Sequence, residues 1–151
     1  MGKLRDNNRT VVEYVSEVIV MPSPPRAFVA FDYDHDSTLR VLLMGQSKHS
    51  DTNFEMHDWS VKEPFALSVW KERVRTKIRA SDLVIVICGE NTHTASGVDV
   101  ELRIAQDEKK PYFLLKGYKD KFCTRPPSAR QDDKLYNWTW ENLKVLLQGG
   151  R

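Results

Sequence analysis

The residues best suited to chemistry in this chain are carboxylates: Asp32, Asp34 and Asp36 within one short segment, and Glu101 well downstream. Spacing makes Glu101 unusual. On a helix beginning near Gly97, the positions i+3, i+4 and i+7 from Val98 are Glu101, Leu102 and Ala105, the stripe that should face a sheet. A carboxylate beside Val98 and Leu102 is out of place for packing alone, and partial burial would leave it poorly solvated. Spacing also describes a plainer case: an exposed glutamate at the edge of the stripe, favourable near a helix N-terminus. Taken by itself, spacing favours that plainer case.

Asp32-Tyr-Asp34-His-Asp36 sets three acids directly after an apolar strand. Such acids can hold Mg²⁺ or accept a phosphoryl group. The pattern resembles the Asp-x-Asp loop of haloacid-dehalogenase-type phosphatases, with Asp32 as nucleophile and Asp34 as acid/base. It also resembles the acidic pocket of response-regulator receivers. Both chemistries need parts missing here. The third strand ends in Cys88-Gly89 rather than Ser/Thr or Asp, and Asp132-Asp133 follows no apolar strand. Acids capping the next helix are the simpler reading, preferred for Asp36. Trp59, beside Asp58 and Ser60, can stack on a base or pin a loop to the core. His35 and His93 lack Cys partners at metal spacing, so no metal site is expected. Cys88 reads as a small buried hydrophobe. There is no Walker lysine loop and no Gly-x-Gly-x-x-Gly.

The elements that must position these residues follow from periodicity. Strands are expected at Ala27–Phe31, Asn53–His57, Leu83–Cys88 and Pro111–Leu115, with a short edge strand somewhere in the polar stretch 116–136. The first helix should be capped by Asp36 or Ser37, carry Leu39, Val41, Leu42 and Leu43, and stop near Gly45. The second spans Ser68–Arg79, with Val69, Trp70, Val74 and Ile78 on its apolar side. Residues 58–65 between them are expected to form a loop. Ser96 with Asp99 approximates a capping box for a third helix reaching Glu108. Thr139 can cap a last helix, Trp140–Gln148, ended by Gly149-Gly150. Alternation of this kind predicts a flavodoxin-like three-layer αβα fold with a parallel sheet of about five strands in the order 2-1-3-4-5. Ligands in such folds bind outside the carboxyl ends of the strands, where strand order reverses, here between strands 1 and 3. Residues 32–36 and 89–96 lie there.

The 151 residues suit one domain, and a chain this long can bury roughly 70% of its unfolded surface. Charged residues make up 29%, and 23 Lys+Arg against 21 Asp+Glu leave a net charge of +2. That balance gives no electrostatic case for a nucleic-acid binder. Two cysteines imply no disulfide framework. The run Leu83–Cys88 is too short to span a bilayer. Glu13 and Glu17 interrupt the N-terminal apolar stretch, so a signal peptide is not expected and cytosol is the default compartment. Residues 1–26 read as an extension and Pro-rich linker: Thr10–Val20 suits a helix or a strand, and Pro22-Ser-Pro-Pro25 separates it from the domain at 27–151.

An ordered set of segments carries a family resemblance: Phe28-Val-Ala-Phe-Asp-Tyr33, Phe54-Glu-Met-His-Asp-Trp-Ser60, Ser81-Asp-Leu-Val-Ile-Val-Ile87, Asn91-Thr-His-Thr with Val98-Asp-Val-Glu101, and Lys110-Pro-Tyr-Phe113. Together they resemble the TIR-like domains of the ThsB type, found in the bacterial Thoeris antiphage system. The resemblance implies a flavodoxin-like TIR fold and an enzyme that consumes NAD as substrate, with no further cofactor. Such an enzyme cleaves the nicotinamide–ribose bond and returns ADP-ribose products, often cyclic, as an immune signal. It implies Glu101 as the catalytic carboxylate. It also implies that Phe31, Asp32, Tyr33, Asp58, Trp59, Ser60, Thr92 and His93 bind substrate or line its pocket. Expected partners are NAD or a related nucleotide, and a second copy or a signalling partner protein, because TIR enzymes often act as assemblies. Many relatives carry tryptophan where this chain has Gly97. Some TIR domains only recognise or assemble, which keeps a non-catalytic nucleotide- or protein-binding module as the alternative.

Overall fold

A computed structural model describes residues 23–61 and 66–150. The expected element Thr10–Val20 and part of the expected 58–65 loop lie outside them. The described elements are β1 (Arg26–Ala30), α1 (Ser37–Ser47), β2 (Glu55–Trp59), α2 (Leu67–Arg79), β3 (Leu83–Cys88), α3 (Ser96–Asp107), β4 (Tyr112–Lys116), β5 (Leu135–Asn137) and α4 (Trp140–Leu147). All neighbouring strands pair in parallel, in the order β2-β1-β3-β4-β5. This is the flavodoxin-like order expected from the sequence.

Period-2 alternation assigns each side chain to one of two cores. Phe28, Ala30, Val84, Val86 and Leu114 face α2 and α3, meeting Trp70, Val74, Ile78, Val98 and Leu102. Val29, Phe31, Ile85, Ile87 and Leu115 face α1 and α4, meeting Leu39, Leu43, Leu143 and Leu146. Every residue of β3 is buried, because helices cover both faces of a central strand. Each fully buried aliphatic contributes about 1.5–3 kcal/mol, so β3 anchors the sheet.

Several boundaries differ from expectation, for tertiary reasons. β2 begins two residues later and runs to Trp59, so Asp58 and Trp59 close a strand rather than open a loop. Pairing with β1 causes this: a register shift between Ala27 and Phe28 lets Asp58 and Trp59 face Phe28 and Val29. α1 continues through Gly45 to Ser47, and Gly45 does not take the positive φ that ends a helix. Asp36 makes no side-chain cap on α1. Ser96 is the first helical residue of α3 rather than its cap, and Asp99 instead accepts the Ser128 N–H at 2.7 Å and pairs with Arg103 at 3.0 Å. Val69 is 49% exposed, because α2 turns only its Trp70-Val74-Ile78 stripe inward. Thr139 does cap α4, its Oγ1 accepting the Asn142 N–H at 3.1 Å. Both cysteines are free and buried, and burial pushes the Cys88 thiol up. Among the described residues no helix is long and apolar enough to cross a membrane.

The C-terminal ends of α2 and α3 are tied together by Glu108, whose carboxylate accepts from Arg75 Nη1 and Arg79 Nε, each at 2.7 Å. These guanidinium donors hold its carboxyl down, from 4.5 to about 2. A carboxylate with a lowered folded value stabilises the fold above its unfolded value, and that contribution is lost as pH falls through the folded value. Glu108→Gln should therefore lower Tm at pH 7. The difference from wild type should shrink as pH falls from about 4.5 to about 2, measured by circular dichroism melts across that range.

Candidate functional site

The site sits where the strand order reverses, at the carboxyl ends of β1 and β3. Ser60 follows β2, and its N–H donates to Val29 O of β1 at 2.9 Å, so the sheet ladder holds its backbone. Its Oγ accepts the Phe31 N–H at 3.0 Å and donates to Glu101 Oε1 at 2.5 Å. A hydroxyl has one proton. Since the Phe31 N–H occupies an acceptor position, the Ser60 proton is directed at Glu101. Glu101 is 2% exposed and Ser60 4%, so the exposed-edge reading of Glu101 is overturned. The stripe Val98, Glu101, Leu102 and Ala105 does face inward.

Glu101 forms part of the wall of a cleft of about 310 Å³ that also includes Asp32, Tyr33, Trp70, Ser96 and Gly97. The Phe31 and Tyr33 rings lie stacked, with centroids 6.3 Å apart. Asp32 is buried at the rim, with Oδ1 accepting the Asp34 N–H at 3.2 Å and Oδ2 2.7 Å from His35 Nδ1. That contact, and the charge of Asp32, raise the His35 pKa. Trp70 comes from the apolar stripe of α2, and its indole N–H has no partner among the described residues.

Asp36 turns away from this cleft. Its Oδ1 accepts the Tyr118 hydroxyl at 2.8 Å, while Oδ2 is buried without a partner. Burial raises its pKa, and burial with the Asp36 contact pushes the Tyr118 hydroxyl up to about 12. Gly89 makes room for it, because a Cβ there would lie 2.3 Å from Asp36 Oδ2. Asp36 therefore stands apart from Asp32 and Asp34, which both line the cleft. Among the described residues no three His, Cys, Asp or Glu side chains are grouped to hold a metal ion.

Of the eight residues that the family resemblance assigned to substrate, the structure brings Phe31, Asp32, Tyr33 and Ser60 together with Glu101. The other four lie outside that cleft. Asp58 accepts its neighbour's Trp59 N–H and faces Lys77 Nζ at 3.4 Å. Trp59 lies under the Arg40 guanidinium, in a separate groove. Thr92 is fully buried, its Oγ1 accepting the Gly89 N–H at 2.7 Å and closing the turn after β3. His93 is held by Thr124 Oγ1, which lies 2.9 Å from both its N–H and its Nδ1. Sequence reasoning missed Trp70 and Val61 as cleft residues, whereas Ser96 lies where the switch-point rule put it. Trp70 stands at core spacing on α2, and only the packing of α2 beside α3 brings it to the cleft.

Ser60→Ala should leave the Phe31 N–H without its acceptor and remove a donor from Glu101. Loss of a buried partner costs about 1–3 kcal/mol, and urea unfolding of the variant should show a drop of that size with an unchanged m-value.

The family described as Thoeris protein ThsB, TIR-like domain, matches residues 28–120, from β1 through β4. A search of curated proteins returns no match. The family match covers more than half of the chain and includes every cleft residue named above. The chain belongs to the Thoeris ThsB TIR-like domain family.

Proposed function

We propose that this domain is an NAD-consuming enzyme of antiphage nucleotide signalling, cleaving the bond between nicotinamide and ribose with Glu101 as its catalytic carboxylate. The observation that carries the reading is a buried glutamate, aimed by Ser60, in the wall of a cleft at the switch point of a doubly wound sheet. The family membership agrees with it.

The chemistry asks little of the protein beyond electrostatics. The C1′–N bond breaks with its electron pair going to the pyridinium nitrogen, so nicotinamide leaves neutral and needs no general acid. Positive charge develops on the ribose as an oxocarbenium ion. A fixed carboxylate in a poorly solvated cleft stabilises that charge and accepts hydrogen bonds from the ribose hydroxyls. Water then adds at C1′ and releases a proton, giving ADP-ribose. A nucleophile of the same molecule adding there instead gives a cyclic product. A second reading, a module that binds a nucleotide without turning it over, draws on Gly97. This residue lies in the cleft wall and presents no side chain there.

Nicotinamide release from NAD, followed by chromatography at high protein concentration, tests the proposal. Wild type should release nicotinamide. Glu101→Gln, which still accepts from Ser60, should keep the fold by circular dichroism and lose release by about 100-fold or more. NAD binding without release by wild type would assign the second reading. Release that persists in Glu101→Gln would remove Glu101 from its role.

A further inference from the structure

The charge of the cleft is wrong for phosphate. Its wall carries three carboxylates, Asp32, Asp34 and Glu101, against one imidazole, His35, already matched to Asp32. A diphosphate placed among them would meet like charge. Across the Phe31–Tyr33 stack lies a second groove of about 470 Å³, which shares Phe31, Tyr33 and Val61 with the cleft. Its remaining wall is of opposite character: Arg40, the Thr38 and Ser37 hydroxyls, Val41 and Trp59.

Arg40 stands on α1 with its guanidinium 4.9 Å from the Trp59 ring centroid. No carboxylate among the described residues pairs with it. A guanidinium stacked on an aromatic face keeps its in-plane N–H groups available, and they match phosphate oxygens in pairs. Stacking also holds the side chain in place before any ligand arrives. The exposed edge of Tyr33, 48% accessible, lies at the junction of the two spaces.

We infer that the groove of Arg40, Tyr33 and Trp59 is a second subsite, in which Arg40 holds the diphosphate of a dinucleotide whose reacting nucleoside occupies the Glu101 cleft. This inference rests on the nucleotide reading of that cleft. It makes Arg40 a residue of specificity, selecting phosphate-bearing substrates over the bare nucleoside.

Two substrates separate the parts. NAD carries the diphosphate, and nicotinamide riboside has the same scissile bond without it. Arg40→Gln should lower kcat/KM for NAD by at least about tenfold, the effect of a lost charge-assisted hydrogen bond, and leave that for nicotinamide riboside within about twofold. Equal losses on both substrates, or no loss on NAD, would overturn the subsite. Should wild type cleave neither substrate, the enzymatic reading fails and calorimetry decides the subsite separately. ADP-ribose should then bind wild type at least about tenfold more tightly than Arg40→Gln, with adenosine unaffected. Absence of ADP-ribose binding, or equal binding by both proteins, would sink it.

Discussion

The site depends on one hydroxyl proton. Ser60 stands between two strands and a helix: its backbone extends the β1–β2 ladder, its oxygen accepts from the residue that follows β1, and its proton reaches α3. Those contacts make the orientation of Glu101 a consequence of sheet registry. If β2 slid by one residue, the position after its last pair would turn to the other face of the sheet. The register shift between Ala27 and Phe28 is therefore part of the site, although it lies at the far end of β1.

A carboxylate is costly to bury, and this chain buries Glu101 and Asp36 beside the switch point in different ways. Glu101 meets a directed donor and lies in the wall of a cleft. Asp36 is pressed against Gly89 with one oxygen paired to Tyr118 and the other without a partner, and burial raises its pKa. The acidic run after β1 divides in the same way, with Asp32 and Asp34 in the cleft wall and Asp36 outside it. Asp32 braces His35 at the rim, Asp34 belongs to the rim loop, and Asp36 joins β3 to the segment after β4. Tyr118 and Thr124 bring that polar segment back onto the β3 turn, so a stretch without clear periodicity still supports the site.

Sequence patterns placed the acidic loop and the start of α3 at the same end of the sheet, and the ligand rule for such folds followed from strand order. Patterns were weakest where two elements compete for a residue. Asp58 and Trp59 look like loop residues because polar and aromatic types mix there. Pairing with Phe28 and Val29 makes them strand. Thr92 and His93 stand in the loop nearest the cleft yet are spent on Gly89 and Thr124. The Thr92 bond closes a local turn, but Thr124 stands 31 residues from His93, so no local pattern announces that second bond.

Composition and periodicity by themselves determined the alternation of strands and helices and the inward stripe of α3 on which Glu101 lies. These are properties of one element at a time, and hydrophobic burial with a period of 2 or 3.6 residues is enough to specify them. Only the tertiary structure decided whether Glu101 was an exposed edge or a buried side chain in a cleft wall, which acids converged, and that Arg40 shares a groove with Trp59. Those outcomes depend on hydrogen bonds and packing between residues far apart in the chain. Their energies exist only once the sheet has set the distances.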